Sequence, residues 1–172
     1  MFEKSCGGLK MYSLRRAELS DADAMAYVHA TSWQETYKGL LDDHVISKFN
    51  VDNRKKMWTA FLQKDIDTQR AYVAVNSGKL VGIASWHETA DHVELLTLYV
   101  LSEFHNQGIG KALFKQVEKD AQQKGKQLIT WVLRENKATF FYEKMGLKFV
   151  KSEEKNLGTS SVHEFMYSNQ TD

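Results

Sequence analysis

Leu98-Tyr99-Val100-Leu101-Ser102-Glu103-Phe104-His105-Asn106-Gln107-Gly108-Ile109-Gly110-Lys111-Ala112 is the stretch on which the reading of this chain turns. It closes a run of β-formers, Val93 to Leu101, and opens an amphipathic helix from about Lys111 to Lys124. The helix has a buried stripe of Leu113, Phe114, Val117 and Ala121, and Gly125 is placed to end it. Between strand and helix lies a loop bearing Gly108 and Gly110. The first turn of a helix carries unpaired N–H donors and a partial positive charge. Glycines let an anion approach that backbone closely, so the expected guest is a phosphate or pyrophosphate, with Lys111 adding a cation at the rim. Two familiar phosphate loops do not fit. A P-loop would need glycine where His105 stands and Ser or Thr where Ala112 stands. A dinucleotide fingerprint would need glycine at Leu113, and it normally opens a domain. A plain glycine turn entering a helix is the ordinary alternative.

Outward from this unit the chain reads as one mixed α/β domain, 13–170, behind an N-terminal leader, 1–12. Ser13 to Ala17 is a short strand, and Ser20 an N-cap for a helix reaching about Trp33. Gly39 ends the following stretch, and a second helix runs from about Asp52 to Gln63. Ala71 to Val75 and Leu80 to Trp86 form a hairpin around Asn76-Ser77-Gly78. Leu128 to Leu133 is a buried strand, Asn136 caps a short helix that stops at Gly146, and Leu147 to Val150 and Val162 to Tyr167 close the chain as strands. Helices alternate with strands in the second half, so some strands there are expected to be parallel.

Composition narrows the classes. The chain has 172 residues, 42% hydrophobic and 26% charged, with a net charge of +1. That is not the basic excess of a nucleic-acid binder. No apolar run approaches the roughly 20 residues needed to cross a bilayer, so no membrane partner is expected. The single cysteine, Cys6, excludes an internal disulfide framework and suits a reducing, cytoplasmic setting. The six histidines show no ligand spacing, so no metal is expected.

With these residues in view, the chain resembles the Gcn5-related N-acetyltransferase (GNAT) family. The family's pyrophosphate loop, Gln/Arg-x-x-Gly-x-Gly/Ala, is similar to His105-Asn106-Gln107-Gly108-Ile109-Gly110, with His105 as the departure. Downstream, Asn136-Lys137-Ala138-Thr139-Phe140-Phe141-Tyr142-Glu143-Lys144-Met145-Gly146-Leu147 resembles the family's N-x-x-A-x-x-F-Y-x-K-x-G-F segment. The resemblance spans roughly Leu14 to Tyr167. It implies a central mixed sheet of about seven strands flanked by about four helices, and acetyl-CoA as co-substrate. It also implies a cleft where the strand ending near Leu101 and the strand Leu128 to Leu133 splay apart. There the backbone of Leu98 and Val100, with Tyr99 between them, pairs with the pantetheine arm. The loop His105, Asn106, Gln107, Gly108, Ile109, Gly110 and Lys111 holds the pyrophosphate, and Asn136 reaches the cofactor near its thiol end. For Asn136 the alternative is a plain helix cap.

The expected reaction is direct attack of a neutral amine on the thioester. Tyr142 is the expected general acid, since a phenol with a reference pKa of about 10 carries a proton to give at neutral pH. The alternative is a buried aromatic. For the base, Glu94 is first choice. Without a bulge, 94, 96, 98 and 100 share one face of their strand, which puts Glu94 beside Leu96 and Leu98 in surroundings that raise a carboxyl pKa. A solvent-exposed glutamate is the alternative, Glu88 is second choice, and a water chain would need no base.

On the acceptor side the resemblance points to the first two helices, with Trp33, Glu35, Tyr37, Asp42 and Asp43, edged by Trp86 and His87. Aromatics and carboxylates there could hold a cationic amine: a polyamine-like molecule, an amino sugar or a protein N-terminus. Ordinary packing is the alternative. A non-catalytic acyl-CoA-binding module of the same fold is the rival to an enzyme, and the resemblance also allows a homodimer.

Overall fold

Hairpin chemistry builds the first half of the sheet. In the computed structural model, which describes residues 11–64, 66–158 and 160–170, Ser77 (φ 48°) and Gly78 (φ 81°) form the tight turn. That turn joins β2 (Gln69–Asn76) to β3 (Lys79–Glu88). β1 (Tyr12–Arg16) pairs with the outer side of β2, and β4 (His92–Val100) with the far side of β3, all antiparallel. Tyr12 thus belongs to the first strand. The rest of the expected leader, apart from Met11, lies outside the described residues, as does Cys6.

After β4 the chain crosses through α4 (Ile109–Gln123) and returns as β5 (Gln127–Leu133), parallel to β4. A short helix, α5 (Ala138–Lys144), leads to β6 (Lys148–Leu157) and β7 (Ser160–Ser168). The sheet order is β1-β2-β3-β4-β5-β7-β6, seven strands as expected, with β4/β5 the parallel pair. One face of the sheet carries α4. Its stripe of Leu113, Phe114, Val117 and Ala121 is fully buried against Val81, Ala84, Val93 and Leu128. Burying a side chain such as Phe114 is worth roughly 1.5–3 kcal/mol.

The other face carries α1 (Ala22–Tyr37) and α3 (Val51–Gln63), which bury Met25, Val28 and Trp58 against Val73 and Ile83. Four local readings change. A 3-10 turn, Leu19–Asp21, precedes α1, so the cap is a reciprocal box between Glu18 and Asp21 rather than Ser20. α1 runs to Tyr37, and α2 (Asp43–Ser47) adds a fifth helix to the four expected. Strands β6 and β7 are also longer than their apolar runs. The polar part of β6 is an exposed edge whose lysines and glutamates pair along and across the ladder, Lys151 with Glu153 and Lys155 with Glu164. Charged residues are a common way to blunt such an edge.

Candidate active site

A split in the sheet makes the site. β4 and β5 pair from His92↔Gln127 to Leu95↔Thr130 and no further. The Thr130 hydroxyl donates to the Leu95 carbonyl at 3.0 Å at this last rung. Beyond it β4 stays with β3 as far as Val100, while β5 stays with β7 as far as Leu133. At the fork β4 bulges. Ser85 pairs with Thr97 and Trp86 with Leu95, which leaves Leu96 without a partner. A bulge re-aims the residues beyond it. Leu101 donates its N–H to the Val81 carbonyl at 2.9 Å. Backbone direction alternates along an antiparallel strand, so Leu98 and Val100 turn their N–H and C=O groups into the gap. The Val100 carbonyl there accepts from the His105 ring Nε2 at 2.7 Å.

The bulge corrects one expectation. Val93, Leu95, Leu98 and Val100 pack on the α4 face, and Tyr99 packs on the α1/α3 face. Glu94 therefore does not share the face of Leu98. It stands opposite His87, with 3.4 Å between the carboxylate and the ring Nε2. Glu88, the second-choice base, is held by Lys124 at 2.5 Å and Lys126 at 2.9 Å. Those two bonds, Lys124's first, lower its pKa, the reverse of what a base at neutral pH requires.

At the open end of the gap lies the glycine loop. Asn106 (φ 60°) and Gly108 (φ 80°) both adopt left-handed backbone, and Gly108 is the N-cap of α4. The first bond along the helix runs from the Ala112 N–H to the Gly108 carbonyl at 3.0 Å. The amides of Ile109, Gly110 and Lys111 thus precede the ladder and have no helical acceptor. Residues 105 to 108 are exposed, while the Ile109 side chain is buried in the core. A Cβ added at Gly110 would meet only ordinary contacts, the Phe141 ring at 3.8 Å being nearest, so the fold alone does not require glycine there.

At the inner end, hydroxyls from four elements meet. Tyr142 on α5 is buried, edge-on to Phe141 at 5.4 Å between ring centroids. Burial raises its pKa, a hydrogen bond with Thr130 opposes that, and the Tyr37 hydroxyl adds to the rise. The phenol therefore holds its proton at neutral pH. Tyr37 ends α1 and accepts from Asn136 Nδ2 at 3.0 Å. Its pKa is raised by burial and held back by its bonds to Asn136 and Tyr99. Tyr99 is raised well above its ordinary value by burial first and by Tyr37 next. Asn136 precedes Lys137, the N-cap of α5; its Oδ1 accepts from the Ala138 N–H at 2.9 Å while its amide donates to Tyr37.

Toward α1 and α3 the hydroxyls adjoin an aromatic cluster. Trp33 stacks on Phe49 at 3.6 Å and 5°, and lies 4.2 Å from the Tyr37 ring. Buried His29 sits 5.1 Å from Tyr99 and 5.8 Å from Trp58. Its pKa is lowered to about 3, by burial first and by Arg54 second. Trp86 is not in this cluster. It is fully buried on the opposite face, where its indole N–H donates to Asp120 at 2.8 Å, so it does not edge an acceptor pocket. Glu35, Asp42 and Asp43 lie on the exposed surface. His29, Phe49 and Arg54 escaped the sequence reading. His29 lies one turn before Trp33 and was accessible by spacing, whereas Phe49 and Arg54 arrive from a different loop and helix.

Among the described residues no cluster of three His, Cys, Asp or Glu could hold a metal ion, and no helix is long and apolar enough to cross a membrane.

Comparison with known proteins agrees with this geometry. The model of the acetyltransferase (GNAT) family matches residues 33–147. The chain is 27% identical to the uncharacterized N-acetyltransferase YuaI of Bacillus subtilis, over 77% of this chain and 78% of that one. It is 26% identical to a spermidine N(1)-acetyltransferase of Thermoplasma acidophilum, over 78% of this chain and 87% of that one. Among solved structures it is similar to the PaiA N-acetyltransferase of Thermoplasma acidophilum in complex with coenzyme A. The TM-score is 0.73 at 24% identity, covering 93% of this chain and 99% of that one. A GCN5-related N-acetyltransferase of Rhodopseudomonas palustris gives a TM-score of 0.77 at 18% identity, covering 97% and 100%.

Proposed function

Because this chain belongs to the GNAT acetyltransferase family, we propose that it moves the acetyl group of acetyl-CoA to a primary amine, of a small molecule or a protein N-terminus, in the cytoplasm. The observation that carries the reading is the split between β4 and β5, with free first-turn amides of α4 at one end and the Tyr142 phenol at the other. Gly110 fits it too: a residue the fold does not need as glycine is explained by an anion that must reach the backbone. A solved relative carries coenzyme A, and a second relative is named for spermidine, which supports a CoA donor and an amine acceptor.

In this reading the amides of Ile109, Gly110 and Lys111 hold the pyrophosphate, with His105, Asn106, Gln107 and Gly108 shaping the loop around it. Leu98 and Val100 extend their backbone to the pantetheine arm as a neighbouring strand would, with Tyr99 between them facing the acceptor side. His105 fixes the Val100 carbonyl at the mouth, leaving fewer groups for the arm to satisfy. Asn136 and Tyr37 set the position of the hydroxyl cluster, and Trp33 walls the acceptor side.

The neutral amine attacks the thioester carbonyl carbon. A C–N bond forms, the C–S bond breaks, and Tyr142 gives its proton to the departing sulfur. Burial keeps the phenol protonated, so a donor stands ready for the sulfur as its charge develops. The surplus proton on the amine leaves through water toward Glu94, opposite His87, and returns to the phenolate from solvent. No covalent enzyme intermediate is needed.

The test is incubation with acetyl-CoA and a panel of amines, following free-thiol release. Thiol release that depends on an amine is expected. Tight CoA binding with no turnover on any acceptor would instead identify a sensor built on the same fold.

A further inference from the structure

We propose that the amine acetylated by this enzyme also carries an anionic group, a carboxylate or a phosphate, and that Arg54 binds it. The inference rests on the acetyl-transfer reading above and narrows its acceptor. Arg54 rises from α3 with its guanidinium carbon 4.4 Å from the centre of the Phe49 ring. One terminal nitrogen contacts the Met57 sulfur at 3.5 Å. Its Nε is buried and has no hydrogen-bond acceptor among the described residues. No carboxylate of the described residues forms an ion pair with it, whereas the adjacent Lys55 pairs with Asp23 at 2.8 Å. A guanidinium drawn partly out of water loses hydration that only an acceptor restores. Burial already works against its charge. Its planar fork matches the paired oxygens of a carboxylate or phosphate.

Its surroundings point the same way. The Trp33 indole N–H, on the ring stacked with Phe49, is another buried donor without an acceptor. His29, neutral above about pH 3, adds no competing charge. The carboxylate that acts on Tyr37 at the inner end is Glu164, and Lys155 holds it at 2.5 Å. Glu164 is thus paired among the described residues and Arg54 is not. Phe49 also covers one face of Trp33, closing that face to a cation. An unpaired guanidinium in this wall attracts an oxyanion. Arg54 and Tyr99 lie close enough to influence each other's ionisation, and Tyr99 adjoins Tyr37 and Tyr142. An acceptor spanning the cluster would set its amine at Tyr142 and its anion at Arg54.

Four amines of one chain length test this: ω-aminopentanoate, ω-aminopentyl phosphate, pentylamine and cadaverine. The wild type is expected to acetylate at least one anionic amine with a kcat/KM at least about tenfold above that for cadaverine. In Arg54→Gln that ratio is expected to fall at least about tenfold, mostly through KM. Arg54→Lys, which keeps the charge and loses the fork, is expected to give an intermediate ratio, and it supplies the readout where the glutamine variant fails to fold. Calorimetry of the two anionic amines, with and without CoA, reads binding separately from turnover, and the tighter of the two names the oxyanion. Binding that weakens at least about tenfold in the Arg54 variants upholds the inference even without turnover, an outcome that counts against acetyl transfer alone. Turnover of cadaverine at an equal or higher kcat/KM upholds acetyl transfer and overturns the inference, as does failure of both anionic amines to bind.

Discussion

On the α4 face of the sheet, the buried carboxylate of Asp120 accepts from the Tyr72 hydroxyl at 2.5 Å and the Trp86 indole at 2.8 Å, with Arg70 at 3.8 Å. On the α1/α3 face, His29 Nδ1, Trp33 Nε1, Trp58 Nε1 and Arg54 Nε are buried without hydrogen-bond partners. The cluster around the Asp120 carboxylate is closed but for Arg70 Nε, and the other is open, in the same chain and across the same sheet. Buried polar groups ordinarily find partners, since an unmade bond costs about 1–3 kcal/mol. The closed cluster is what a core does with its polar groups. The open one adjoins the tyrosines at the strand split, where a ligand can complete it. The difference teaches where to look for function: toward the donors that folding left unused.

Breaking the closed cluster should have the largest effect. Asp120→Ala strands the Tyr72 hydroxyl and the Trp86 indole together and should cost about 3–5 kcal/mol of folding free energy. Chemical denaturation measures it; a loss below about 1 kcal/mol would mean the cluster is not a structural keystone.

The open cluster should answer to pH instead. The unfolded chain protonates His29 below about 6.5, while the folded chain resists protonation to about 3. The unfolded state thus binds more protons in that window. Stability falls as pH drops from about 6.5 toward 3, by up to about 1.4 kcal/mol per pH unit from this group. His29→Leu should flatten that limb. At neutral pH it should leave stability unchanged or higher by about 1 kcal/mol, because an unpaired polar atom is removed. Denaturation midpoints across pH for the two proteins give the answer.

At the hinge between the two regions, Tyr142→Phe should lower kcat tenfold or more, about 1.4 kcal/mol in barrier, with little change in acetyl-CoA affinity. An unchanged kcat would remove Tyr142 from the mechanism. The smallest effect is expected at Glu94→Gln, where rate against pH should lose the limb that falls toward acid, the mark of a general base, while the rest of the profile is kept. An unaltered profile would assign proton removal to water alone.

The strands, the helix stripe and the strand–loop–helix unit were legible in the sequence because each is a local pattern with its own period. Leu113, Phe114, Val117 and Ala121 are spaced for one helix face and all four are buried on it. The bulge at Leu96 was not legible, since no residue in Glu94-Leu95-Leu96-Thr97 marks a register shift, and it moved Glu94 to another face. Trp86 illustrates a second limit. A tryptophan at a strand end reads alike whether its indole meets a substrate or Asp120, thirty-four positions away. The polar stretch of β6 carries no alternation because both its faces are largely exposed. Arg54 reads as part of a basic run with Lys55 and Lys56, and only tertiary packing sets it on Phe49 without a carboxylate.

The most direct test of the account is an amide-resolved NMR titration of the protein with acetyl-CoA. The account predicts that the largest shifts fall on Gly108 to Lys111 and on Leu98 to Val100, the loop and the opened strand edge. Saturable binding that leaves those amides unmoved, with the shifts gathered elsewhere on the chain, would contradict it.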